Sequence, residues 1–232
     1  MNINTLIAYF EKFTKLRILK LKPGDGLETN RSGYQKRYIN FHIKKGEKVL
    51  DIGSGGYPFP LATHIADLYP KVTTHRTEEL IKDKRPFIVC DAHNLPFKNK
   101  EFDFIYCSHL LEHVDDPASV CEELMRVGKR GYIETPTKTS DIMFNFLKLK
   151  GHHKWFVVSA SNSLIFFEYN FAERKDTGSS YFYNEFHSEY SNPFQRLVKN
   201  NRQLFDNMFL WDTKFYYYVF NKTGVLTKTN KK

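Results

Sequence analysis

Five short apolar runs, each closing on an acid or a small polar residue, punctuate the chain between Lys48 and Pro136. The first, Lys48-Val49-Leu50-Asp51-Ile52, runs straight into Gly53-Ser54-Gly55-Gly56. His64–Asp67, Phe87–Asp91, Phe102–Cys107 and Gly131–Pro136 follow, and their length and apolar content predict strands. Between the fourth and fifth runs, Pro117 opens a periodicity through Val120, Leu124 and Val127 that stops at Gly128. Proline at the start and glycine at the end are helix boundary signals. Alternation of this kind predicts an α/β fold, a doubly wound and mostly parallel sheet with helices on both faces. Aromatic runs at Leu164–Tyr169 and Phe215–Phe220 predict antiparallel C-terminal strands that complete the sheet, with their stripes in the core. Fifteen residues lie between Asp51 and Asp67, and Pro58 and Pro60 fall among them, so the first crossover helix is expected to be short.

At 232 residues the chain is expected to form one domain. Its parts are read as an N-terminal helical extension (1–45), a ligand-binding core (46–136), an insertion (137–205), and a terminal strand with a basic tail (206–232). Ile3, Leu6, Ile7, Phe10 and Phe13 fall at helical spacing beside Lys12, which predicts an amphipathic helix. Packing against the domain is the first expectation for it; covering a pocket and peripheral contact with anionic lipid are the alternatives. A net charge of +9 attracts anions, among them nucleic acid, nucleotide-sugars and phosphorylated glycans. No nucleic-acid motif or lysine block is present, so RNA ranks second. Cys90, Cys107 and Cys121 show neither paired nor ligand spacing and read as buried thiols of a reducing compartment. Glu11, Lys12 and Lys15 interrupt the opening apolar residues, and no run is long enough to span a membrane, so a cytoplasmic location is expected.

The glycine cluster narrows the chemistry. Gly53 and Gly55 let the backbone turn sharply and bring its N–H groups close to a ligand. Asp51 repels a pyrophosphate and suits a ligand that carries positive charge, and no Lys-Ser or Lys-Thr follows as a Walker motif requires. His109-Leu110-Leu111-Glu112-His113 fits the His-x-x-Glu-His zinc pattern, whose histidines share a face if the segment is helical. The rest of a zinc peptidase is missing, and no metal is expected.

Together, Leu50-Asp51-Ile52-Gly53-Ser54-Gly55, Asp91-Ala92-x-x-Leu95-Pro96-Phe97, Phe102-Asp103-x-Ile105-x-Cys107-Ser108-His109-x-Leu111-Glu112-His113-Val114 and the strand ending Glu134-Thr135-Pro136 resemble a class I S-adenosylmethionine-dependent methyltransferase of the type 11 group. Weaker similarity to one uncharacterised subgroup extends through Tyr57–Pro60, Thr74–Arg76 and His153–Val157. The resemblance implies S-adenosylmethionine as cofactor and S-adenosylhomocysteine as product. Gly53, Ser54 and Gly55 would pass under its methionine part, with Asp51 near the amino group. Asp67 would accept from the ribose hydroxyls, Asp91 from the adenine amino group, and the Ala92 N–H would donate to the ring. Ser108 and His109 would lie beside the methyl group. The alternative for each acid is a helix cap or a turn. The sequence departs from the pattern at Tyr57, where many relatives carry a third glycine. Candidate bases are His113, His109 and His153, with Glu134 a further choice. His153 belongs to Gly151–Trp155, which reads either as a base, cation and stacking face or as a surface turn anchored by Trp155. The implied activity is methyl transfer to a hydroxyl of a small or glycan-like acceptor, with 137–205 facing it. An RNA or protein methyltransferase and a non-catalytic cofactor-binding module are the alternatives.

Overall fold

The computed structural model describes residues 2–14, 22–23, 31–70, 83–144, 153–170, 180–188 and 190–232. In chain order these form α1 (Ile3–Thr14), β1 (Lys22–Pro23), α2 (Arg31–Tyr38), β2 (Val49–Ile52), β3 (His64–Asp67), β4 (Phe87–Val89), β5 (Phe102–Ser108), α3 (Pro117–Val127), β6 (Gly128–Pro136) and α4 (Lys138–Met143). They continue with β7 (Trp155–Ala160), β8 (Ser163–Glu168), α5 (Ser180–Phe186), β9 (Tyr190–Ser191), α6 (Pro193–Asn200), a single 3-10 turn, β10 (Asp206–Asp212), β11 (Tyr216–Phe220) and β12 (Leu226–Thr229). No described helix is long and apolar enough to cross a membrane.

Six strands make the central sheet in the order β10-β6-β5-β2-β3-β4. The pairs β2–β3, β2–β5, β3–β4 and β5–β6 are parallel, and β10 runs antiparallel to β6. The chain therefore winds outward from β2 to β4 and then returns to the other side of β2. That reversal makes a switch point between the C-terminal ends of β2 and β5, the usual place for a ligand in an open α/β sheet.

On one face α3 seats Val120, Cys121, Leu124 and Val127 in a single core with Leu50, Ile52, Ile105, Cys107 and Ile133. Asp116 caps the helix by accepting from the Ser119 N–H, and Pro117 occupies its first turn. The helix stops at Gly128 as expected, but φ there is −102°, not left-handed. Room explains the glycine, since a Cβ would stand 2.3 Å from Ile105 Cγ1. The opposite face buries Val49, Ile65, Phe104, Tyr106 and Tyr132 beneath Phe41, Phe59 and Ala62, and α2 adds buried Tyr34 and Gln35.

Three expectations are corrected. First, residues 53–63, between β2 and β3, contain no helix. Pro58 lacks an N–H, each proline disfavours helical backbone in the residue before it, and eleven residues are near the minimum for a helical crossover. Second, β8 and β11 do not extend the central sheet. They form a separate four-stranded sheet, β12-β11-β8-β7, in which β11 runs parallel to β8 while β7 and β12 are antiparallel to their neighbours. Its inner face buries Leu164, Phe166, Tyr217 and Val219, and half-buried Phe156, Phe167 and Phe220 stack in a row on the other. Third, α1 forms, but Ile3 (64%) and Phe13 (68%) are exposed, as are Leu6 and Phe10, so its apolar stripe is not packed on the domain. Thr74–Arg76, Gly151 and His152 lie outside the described residues.

Candidate active site

Both loop glycines adopt left-handed backbone, Gly53 at φ +73° and Gly55 at φ +53°, a region that a side chain disfavours. The Gly53 and Ser54 N–H groups donate to the Ala66 carbonyl at 2.8 and 3.2 Å, which folds the loop over the start of the switch point. Ser54 is buried, and its hydroxyl has no hydrogen-bond partner. Buried hydroxyls are normally paired, and this one is left able to bond a group outside the chain.

The three strand-end acids each hold nearby backbone. Asp51 accepts the Phe59 N–H at 2.7 Å. Asp67 accepts the Gly55 N–H at 3.1 Å and the Tyr69 N–H at 2.8 Å. Asp91, half-exposed, accepts the His93 N–H at 2.9 Å and faces the His93 ring at 2.6 Å; these bonds hold its carboxyl below the usual range. Each acid thus builds a turn, yet a carboxylate has about four acceptor positions, so a turn does not exhaust it. Ala92 is buried beside Asp91.

At the end of β5, buried Ser108 donates to Glu134 at 3.1 Å. His109 takes left-handed backbone, φ +54°, which is uncommon for a residue with a side chain. Its N–H is fixed to the Glu134 carbonyl at 2.8 Å, and its ring enters a nest of buried acids. Nε2 lies 3.2 Å from Glu134 Oε1 and 3.8 Å from Asp206, and Nδ1 lies 3.4 Å from Glu112.

Glu134 is the hub of this end of the sheet. It is wholly buried and accepts from Tyr34 Oη (2.5 Å), Gln35 Nε2 (3.0 Å), Tyr132 Oη and Ser108, besides His109. Burial pushes its carboxyl up, but the His109 contact and charge and the tyrosine hydroxyls outweigh that and leave it at about 2. Burial and Glu134 together push Tyr34 and Tyr132 well above the usual tyrosine range. A carboxylate so fully engaged is an anchor and not a base.

His113 and His153 meet from different segments. Residues 111–113 form a turn and not a helix, so the helical i, i+4 geometry expected for His109 and His113 does not occur. The His113 and His153 rings instead stand edge to face with centroids 4.8 Å apart. His153 is 3% exposed, which replaces the surface-turn reading, and its Nδ1 lies 2.6 Å from buried Asp141. Asp141 also accepts the Tyr169 hydroxyl at 2.7 Å. Trp155 is the anchor expected, its indole N–H donating to the Val114 carbonyl at 2.8 Å. Sequence reasoning missed Tyr34, Gln35, Asp141, Tyr169 and Asp206; their separation along the chain left no local signal.

Residues 50–133 match the family described as a methyltransferase domain. An uncharacterized protein of Methanocaldococcus jannaschii is 33% identical over 93 residues, 39% of this chain and 43% of that protein. Demethylmenaquinone methyltransferase of Paenarthrobacter aurescens is 36% identical over 94 residues, 38% of this chain and 37% of that enzyme. A chain from the solved complex of the Haloferax volcanii Trm112 methyltransferase activator with a methyltransferase aligns at 13% identity and a TM-score of 0.45, over 79% of this chain and 93% of that one. The matches span less than half the length of these two curated relatives. The family match falls on the stretch that builds β2 to β6 and the glycine loop, so residues 50–133 carry a methyltransferase domain of the class I, S-adenosylmethionine-dependent kind.

Proposed function

We propose that this protein transfers a methyl group from S-adenosylmethionine to a hydroxyl of a small or glycan-like acceptor, leaving S-adenosylhomocysteine. The observation that carries the reading is the unpartnered, buried Ser54 hydroxyl in a loop turned by Gly53 and Gly55 at the switch point. S-adenosylmethionine, when bound, supplies a methyl group already activated by the positive sulfonium. In this reading Gly53, Ser54 and Gly55 hold its methionine part with Asp51 behind them, Asp67 accepts from the ribose, and Asp91 with Ala92 receives the adenine. Ser108, pinned to Glu134, lines the reacting end.

The chain's own work is chiefly to hold the acceptor in line and keep water out, which supplies roughly 7–11 kcal/mol in well-oriented reactions. A hydroxyl must also lose its proton. His109, His113 and His153 converge around Glu112 to receive it, with His153 oriented by Asp141. The relative named for demethylmenaquinone supports a small acceptor, and the net charge of +9 supports an anionic one.

Calorimetric titration with S-adenosylhomocysteine tests the cofactor site. Saturable binding is expected in the wild type. Asp67→Ala is expected to weaken it about 100-fold or more, because hydrogen bonds to a charged acceptor contribute about 1.5–3 kcal/mol each and the ribose offers two hydroxyls. Absence of heat with both S-adenosylhomocysteine and S-adenosylmethionine would sink the enzyme reading and leave a structural module. Labelled methyl appearing in an RNA pool and in no hydroxyl compound would replace the acceptor assigned above.

A further inference from the structure

We propose that Glu112, His113 and His153 form a binding site for one divalent first-row transition-metal cation. One ligand atom from each lies within 4.8 Å of the others. A common ion at about 2.0–2.2 Å from nitrogen and oxygen ligands would hold those atoms about 3–4 Å apart, so small side-chain rotations close the set.

Glu112 is the observation that demands an occupant. It is 1% exposed, and neither of its carboxylate oxygens receives a hydrogen bond of ordinary geometry. The nearest donors, His109 Nδ1 at 3.4 Å and His113 Nε2 at 3.8 Å, stand off from it. Its charge is faced by these imidazoles, but its acceptor positions are left open to a ligand. Glu134, in the same core, shows how this fold satisfies a carboxylate when the purpose is structural, with donors on both oxygens. The neighbouring trio His109, Glu134 and Asp206 therefore does not compete as a site, since Glu134 is filled and Asp206 pairs with Arg202 at 3.1 Å.

The surroundings are built as a metal site needs them. Asp141 faces His153 Nδ1 at 2.6 Å and is itself held by Tyr169. A carboxylate on one imidazole nitrogen fixes the ring's tautomer and orientation. The Glu112 carbonyl accepts the Lys154 and Trp155 N–H groups at 2.8 and 3.3 Å, so backbone bonds fix the His153 segment against Glu112. His113 is only partly buried, which leaves an approach from solvent. Two imidazoles and one carboxylate suit zinc, iron(II), cobalt(II) or manganese(II), with positions left for water or a substrate oxygen. If the function proposed above holds, an acceptor hydroxyl held beside the ion would lose its proton more readily, and His109, which is not a ligand, would be left to receive it in place of His113 and His153. That use rests on the methyltransferase reading; the binding of the ion does not.

The test uses the full chain freed of metal with a chelator and titrated with cobalt(II), followed by its visible absorption, with zinc(II) as competitor. One equivalent is expected to produce a saturable band that zinc(II) abolishes, and to raise the melting temperature. Glu112→Gln and His113→Ala are expected to weaken binding at least about 100-fold. Asp141→Asn, a positioning change, is expected to weaken it about 10–100-fold while keeping one equivalent. Replacement of the exposed His187 is expected to change nothing. Binding that survives Glu112→Gln, or a folded wild type that gives no band, would overturn the proposal. Protein that takes up S-adenosylhomocysteine but no cobalt defeats this inference alone, and the converse defeats only the methyltransferase reading.

Discussion

Glu134→Ala is expected to lower the free energy of unfolding by about 3–5 kcal/mol, the range for breaking a buried charged pair by removing one partner. The substitution strands Tyr34, Gln35, Tyr132, Ser108 and His109, five groups from α2, β5, β6 and the turn after β5 that now share one acceptor. Urea denaturation followed by circular dichroism measures it, and a loss below about 1 kcal/mol would show that the network is not held by its carboxylate. Glu134→Gln adds a pH test. The folded carboxyl sits at about 2, below its ordinary 4.5. A group depressed on folding contributes stability above its unfolded value and loses it as pH falls toward the folded value. The difference in stability between wild type and Glu134→Gln should therefore be full above about pH 5 and shrink between about pH 4.5 and 2.

Phe59→Ala is expected to be comparably severe, about 3–5 kcal/mol for a buried phenylalanine. Its ring lies flat on Tyr106, with centroids 4.1 Å apart and planes 3° from parallel, and edge-on to Phe41. Its backbone holds Asp51 through the N–H and Arg85 through the carbonyl, each at 2.7 Å. With no helix in the crossover, this ring packs the segment after the glycine loop onto the sheet, alongside the loop's own hydrogen bonds to Ala66 and Asp67. The variant is therefore expected to lose S-adenosylhomocysteine affinity along with stability. Calorimetry on folded variant protein separates the two effects. Undiminished affinity would mean that the loop keeps its shape without Phe59.

The central sheet was legible because its strands are short, apolar and closed by acids, and because glycine and proline mark the ends of α3. The loop's sharp turn was legible from Gly53 and Gly55, whose left-handed backbone few other residues adopt readily. The missing crossover helix was half legible: spacing and two prolines pointed to a shortened element, and only the folded chain showed Phe59 taking its place. The second sheet was not, since Leu164–Tyr169 and Phe215–Phe220 carry the same aromatic alternation whichever sheet they join. Glu134 drew notice as a strand-end acid, but its donors Tyr34 and Gln35 lie a hundred residues away. Nothing local tells an anchored carboxylate from a catalytic one. The pairing of His153 with Asp141 and its approach to Glu112 were hidden for the same reason, and the helical premise for His109 and His113 drew attention to the wrong pair.

The two sheets are also laced through one another in chain order. β7 and β8 start the second sheet, the chain then leaves to lay β10 on the edge of the first, and β11 and β12 return to finish the second. The span 137–205, which the sequence resemblance would turn toward the acceptor, therefore cannot be traded between relatives as a cassette. Cutting it out removes β7 and β8, deprives β11 of its parallel partner, and takes His153 away from Glu112. Changes of acceptor in proteins with this lacing should arise by point substitution on a retained framework rather than by exchange of whole segments.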